Sequence, residues 1–165
     1  MDREWLDDLR GEWRKAVLEG RPYVASPFIW RPACWFGTTA LAGADECEGR
    51  VEGAHWIKRQ RVEKTIAQQL GLPELVVSPK WQRRWRNFPA EYPDLELLFL
   101  AAWDPRNGVP ACEKHHKRFD GHRADATSEF IVWRHEVPDH VEEFCADWGL
   151  ETALEDRNPV TEKEI

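Results

Sequence analysis

Two short segments hold most of the residues in this chain suited to bond making and breaking. One runs Asn107-Gly108-Val109-Pro110-Ala111-Cys112-Glu113-Lys114-His115-His116-Lys117-Arg118-Phe119-Asp120, and the other is Gly53-Ala54-His55. Between them they carry an amide, three imidazoles, a thiol and two carboxylates. Imidazole and thiolate are zinc ligands, carboxylate and imidazole hold harder divalent ions, and imidazole titrates close enough to neutrality to act as a base. Gly108 and Pro110 break the chain just ahead of the cluster, which predicts a helix over 113–120. On that helix His116 and Asp120 fall one turn apart on one face. A lone His-His pair is an ordinary polar helix face, and Asn-Gly by itself is a common turn. The weight lies in their occurring together.

The elements that must position these residues follow from periodicity. Trp5, Leu6, Leu9, Trp13, Val17 and Leu18 recur at helical spacing, which predicts an amphipathic helix over 2–20 with a structural role. Residues 21–36 read as extended, and 32–57 as a β-hairpin-like unit ending in His55. A helix over 56–70 carries Lys58, Arg59, Arg61 and Lys64 on its polar face. A second basic run over 80–86 surrounds Trp81 and Trp85. Asp94 is placed to cap a buried helix through Trp103. Further on, 129–134 suits a short strand and 138–148 a helix stopped by Gly149, with an acidic, fraying tail beyond. Cys145 shares an apolar face with Phe144 and Trp148 and reads as core. His135 and His140, beside acids, read as solvated surface.

A chain of 165 residues suits one domain, and its ten tryptophans supply large core side chains. No apolar run reaches the ~20 residues needed to span a bilayer, and the first residues lack an apolar signal core, so the expectation is a cytoplasmic protein without a membrane partner. In that compartment Cys34, Cys47, Cys112 and Cys145 stay free for metal binding or burial rather than pairing. The net charge of −7 disfavours nucleic acid until its distribution is considered. Residues 135–165 hold ten acids and two bases, whereas 21–134 hold 14 acids and 17 bases. The acidity is concentrated in the C-terminal part.

Ala54-His55, then Asn107-Gly108, then Cys112-Glu113-Lys114-His115-His116 and Phe119-Asp120 resemble an HNH endonuclease, over roughly residues 32–122. The resemblance implies an α+β fold, a ββα-metal core with a helical N-terminal segment, a helical insertion over about 59–102 and a C-terminal strand and helix extension over 123–165. It implies hydrolysis of DNA phosphodiesters to 5′-phosphate and 3′-hydroxyl ends. His55 would be the general base, Asn107 would orient the site, and His116 and Asp120 would hold Mg²⁺, Mn²⁺, Ni²⁺ or Zn²⁺, with Glu52 or His122 as additional ligands. Many relatives carry a structural zinc on two Cys-x-x-Cys pairs. Here Cys34 and Cys47 have twelve residues between them and the second pair becomes Cys112 and His115, which implies a Cys₃His site.

The implied DNA-facing residues are Lys58, Arg59, Arg61, Lys80, Arg83, Arg84, Arg86, Lys117 and Arg118. Stand-alone proteins of this type serve phage packaging, restriction and mobile elements in bacterial host cells, so a protein partner from such machinery is a further expectation. Ala54 departs from the family, where an acid or histidine often precedes the base as a metal ligand. That departure motivates a second reading, a non-catalytic, zinc-stapled ββα module that binds DNA or protein.

Overall fold

The computed structural model describes residues 2–19, 34–38, 47–120 and 137–157. Within them the fold is α+β, mostly helical, with one small two-stranded antiparallel sheet. The strand suggested over 129–134, the tail beyond 157, and His122 and His135 lie outside the described residues.

Helix α1 (Arg3–Glu19) forms where the apolar periodicity placed it, burying Leu6, Trp13 and Val17. Among the described residues, strand β1 (Val51–His55) finds no partner within 32–57, as a hairpin there would require. It pairs with β2 (Gly108–Cys112), in a register running from Val51 opposite Cys112 to His55 opposite Gly108. Pro110 therefore lies in a strand rather than in a chain break. A two-stranded sheet leaves each strand an outer edge, where a residue without an N–H is tolerated. Trp35 and Phe36, read as extended, start the short helix α2 (Trp35–Thr38). Their rings pack on Trp56, and Phe36 also meets Phe119, so aromatic burial decides the local conformation.

Between the strands, α3 (Arg59–Gln69) packs on α5 (Leu95–Ala102), with a 3-10 turn (Glu74–Val77) and α4 (Pro79–Gln82) between them. Val62, Ile66 and Ala67 meet the nearly all-apolar α5, where Leu95, Leu98, Phe99, Ala101 and Ala102 are buried. This inserted unit reaches the strands: its last helical residue, Ala102, accepts a hydrogen bond from His55 Nε2 at 3.2 Å. A 3-10 turn (Pro105–Asn107) leads into β2, and helix α6 (Glu113–Asp120) follows β2 without a loop.

Helix α7 (Asp139–Trp148) ends where Gly149 takes φ +66°, a left-handed conformation glycine adopts without strain. The chain then forms α8 (Glu151–Arg157) instead of fraying, held by buried Leu150 and Ala153. His140, read as solvated, is half-buried on α7 and donates through Nε2 to the Gly108 carbonyl at 3.0 Å. Arg106 bridges Asp104 and Asp147, a second tie between α7 and the turn before β2.

Candidate functional site

Helix α1 crosses the sheet on the face that carries Gly53, His55 and Gly108. A Cβ on Gly108 would lie 2.5 Å from Val17 Cγ2, and one on Gly53 would lie 2.8 Å from Trp13 Cζ3. The glycines thus let α1 sit directly on the strands. The Trp13 indole then stacks on the His55 imidazole with centroids 4.1 Å apart and planes within 9°, and Trp103 meets the same ring edge-on at 5.1 Å. Burial between these rings pushes the His55 pKa down to about 4, so the ring is neutral at pH 7. A carbonyl can only accept, so the bond to Ala102 fixes the proton on Nε2 and leaves the lone pair on Nδ1.

Asn107 is fully buried and locks the chain just after His55. Its Oδ1 accepts from the Ile57 N–H at 2.8 Å, its Nδ2 donates to the Ile57 carbonyl at 2.9 Å, and its own carbonyl accepts from the Trp56 N–H. The turn after β1 and the turn before β2 are joined through one amide.

On α6, adjacent histidines point to different places. His116 Nδ1 lies 2.7 Å from Glu52 Oε1 on β1, and its Nε2 lies 3.1 Å from Asp120 Oδ2 one turn on. The bond to Asp120, aided by Glu52, raises the His116 pKa. Glu52 and Asp120 thus hold opposite edges of the ring, an arrangement that favours the imidazolium, and only one ring nitrogen with its neighbouring carboxylate could turn to a hard divalent ion. A cation there would compete with the His116 proton.

His115 is buried and faces the cysteines. Its Nδ1 lies 3.2 Å from Cys112 Sγ, 3.4 Å from Cys34 Sγ and 3.6 Å from Cys47 Sγ. All four ligand atoms fall within 4.8 Å of one another, and the group can hold a metal ion. Tetrahedral zinc, with Zn–S about 2.3 Å and Zn–N about 2.0 Å, requires N···S edges of about 3.6 Å. The observed distances approach that edge. Burial, reinforced by charge from Cys34 and Cys112, pushes the Cys47 thiol up to about 12. Thiolates that repel one another are what a bound dication would stabilise. All four cysteines are free thiols, and Cys145 is core, as its helix face predicts.

Lys58, Arg61, Lys80, Arg83, Arg84, Arg86 and Lys117 are exposed. Arg59 is instead engaged, paired with buried Glu63 at 3.2 Å and lying over the Trp103 ring. Lys58 Nζ donates to the Asp120 carbonyl. The side chain of Arg118 lies outside the described residues. An open groove of about 540 Å³ runs beside β1, lined by Arg10, Arg14, Arg50, Glu52, His55 and Trp103, among others. The sequence reading gave α1 no part in any site.

No helix among the described residues is long and apolar enough to cross a membrane. No protein-family model, curated protein or solved structure matches the chain.

Proposed function

We propose that this chain is a metal-dependent endonuclease of the HNH type that hydrolyses DNA phosphodiester bonds. The observation that carries the reading is the way β1, β2 and α6 converge. Base candidate His55 ends β1, Asn107 clamps the turn behind it, and His116 with Asp120 on α6 reaches back to Glu52 on β1. That convergence supports a ββα-metal core.

His55 acts as general base: its neutral ring presents the Nδ1 lone pair, while the Ala102 carbonyl and Trp13 fix the ring plane. Asn107 keeps the ring's backbone in place by holding both polar groups of Ile57. His116 and Asp120 would hold the catalytic ion, with Glu52 accepting from His116 Nδ1 and orienting the ring. When bound, Mg²⁺, Mn²⁺, Ni²⁺ or Zn²⁺ supplies Lewis-acid stabilisation of charge on the phosphate and the leaving 3′ oxygen. Cys34, Cys47, Cys112 and His115 hold a structural zinc that pins α2, β2 and α6 together. The products are 5′-phosphate and 3′-hydroxyl ends.

Plasmid nicking tests the reading. Relaxation of supercoiled plasmid with one of the four ions, lost in His55→Ala and in His116→Ala, is the expected result. Intact plasmid with every ion, or full cleavage by His55→Ala, overturns it. A second reading, a zinc-stapled module that binds DNA or protein without cutting, is favoured by Ala54, which is fully buried and offers no ligand. One tightly held zinc, no second metal and no nicking would establish that reading instead.

A further inference from the structure

Helix α1 divides its circumference into three sectors. At roughly 100° per residue, Leu6, Trp13 and Val17 centre on one direction, and Arg3, Arg10 and Arg14 centre about 60° away from it. The acids Glu4, Asp8, Glu12 and Glu19 centre about 145° further round on the outer side, while Asp7 falls at the edge of the arginine stripe. An arginine stripe bordering the buried stripe falls at the seam where α1 meets the sheet. The groove beside β1 is that seam. Arg10 and Arg14 line it from the helix, Arg50 lines it from the start of β1, and His55 lies in its wall.

The carboxylates facing these arginines are few. Glu52 lines the groove and is bonded to His116. Asp7 pairs with Arg10 at 3.3 Å, and Glu113 pairs with Arg50 at 3.3 Å, both at exposed positions where an ion pair stabilises little and exchanges readily. Arg14 is exposed. Arg10 also lines an adjoining groove of about 290 Å³ with Arg3, Arg59 and Arg83, and that lining contains no carboxylate. Arg59 there pairs with Glu63. The stripe from Arg3 to Arg14 extends about 16 Å at roughly 1.5 Å per residue.

We propose that Arg10, Arg14 and Arg50 form a grip for the phosphate backbone of duplex DNA, with α1 as the element that lays a strand along β1 towards His55. The inference rests on the nuclease reading and adds to it the seat of the substrate. The contacts are to phosphate, so they position DNA without reading its sequence.

Binding to a short fluorescein-labelled duplex, followed by anisotropy over a salt series with Ca²⁺ in place of Mg²⁺, tests the proposal. Each lost phosphate contact lowers the slope of log K against log salt by about 0.9, so Arg10→Gln/Arg14→Gln/Arg50→Gln is expected to lower it by roughly 2.7. The loss should be the same on unrelated sequences. Lys15→Gln, on the outer sector of α1, should leave the slope unchanged. Thermal melting and zinc content establish that the triple variant is folded. If it is not, the exposed Arg14→Gln alone decides, with an expected drop of about 0.9. A parental slope in the folded variant overturns the grip while leaving the nuclease reading intact if plasmid is still nicked. Parent protein that neither binds nor nicks DNA overturns both.

Discussion

His55 and Asn107 sit at the junction of the strands, and each has a measurable signature. The unfolded His55 titrates near 6.5 and the folded one near 4, because the ring is enclosed by Trp13 and Trp103. Between those values the unfolded chain binds more protons than the folded one, so stability from this group is fully present above about pH 6.5 and is lost as pH falls towards 4. Melting temperatures taken through that window should fall in the parent and fall less steeply in His55→Gln. Parallel curves for the two proteins would mean the ring is not held neutral by its surroundings. Asn107→Ala strands the Ile57 N–H and C=O in the interior. At about 1–3 kcal/mol for each orphaned group, the loss should be roughly 2–6 kcal/mol by urea unfolding. A change below about 0.5 kcal/mol would show that the amide does not hold this turn.

At the scale of elements, the docking of α1 depends on two glycines. Gly108→Ala would drive a methyl into Val17 and Trp13, and the expected cost is about 1–3 kcal/mol, read as a lowered thermal midpoint. Gly11→Ala, whose Cβ would meet nothing within 4 Å on the same helix, is the matched control and should be neutral or slightly stabilising. Equal effects from the two would mean that α1 is not seated on the sheet. The helix itself was legible in the sequence because Leu6, Trp13 and Val17 repeat at its own period. So were α5, with its apolar run, and the stop of α7 at Gly149. The pairing of β1 with β2 was not legible. Strands of five residues carry little periodic signal, and the partners are separated by the whole inserted helical unit. Pro110 misled for a local reason, since proline marks breaks in most contexts and is tolerated here by the open edge. Trp35 and Phe36 misled for a tertiary one, because only their contacts with Trp56 and Phe119 select the helical turn. The role of His140 depends on a carbonyl 32 residues away, which no local pattern encodes.

For the whole molecule, the Cys₃His cluster joins four stretches of chain at the point where the strand pair, α2 and α6 already meet. Cys34 immediately precedes α2, Cys47 precedes β1, Cys112 ends β2 and His115 lies on α6. The resemblance implied a Cys₃His group containing His115, and the structure brings those four residues together in a group that could hold a metal ion. His115 turns inward to three sulfurs, and His116 turns to two carboxylates. Metal bound by a site that exists only in the folded state contributes its binding energy to folding. One zinc per chain is therefore expected by elemental analysis, released by a chelator only under partly denaturing conditions. His115→Ala and Cys112→Ser should each lose that zinc and lower the thermal midpoint sharply, because the cross-link between α2, the strands and α6 goes with the cation. His116→Ala should keep both the zinc and, to within about 0.5 kcal/mol, the stability, since its ring is half-exposed and its partners return to water. Loss of zinc in His116→Ala, or full retention in His115→Ala, would show that the two histidines do not serve separate centres.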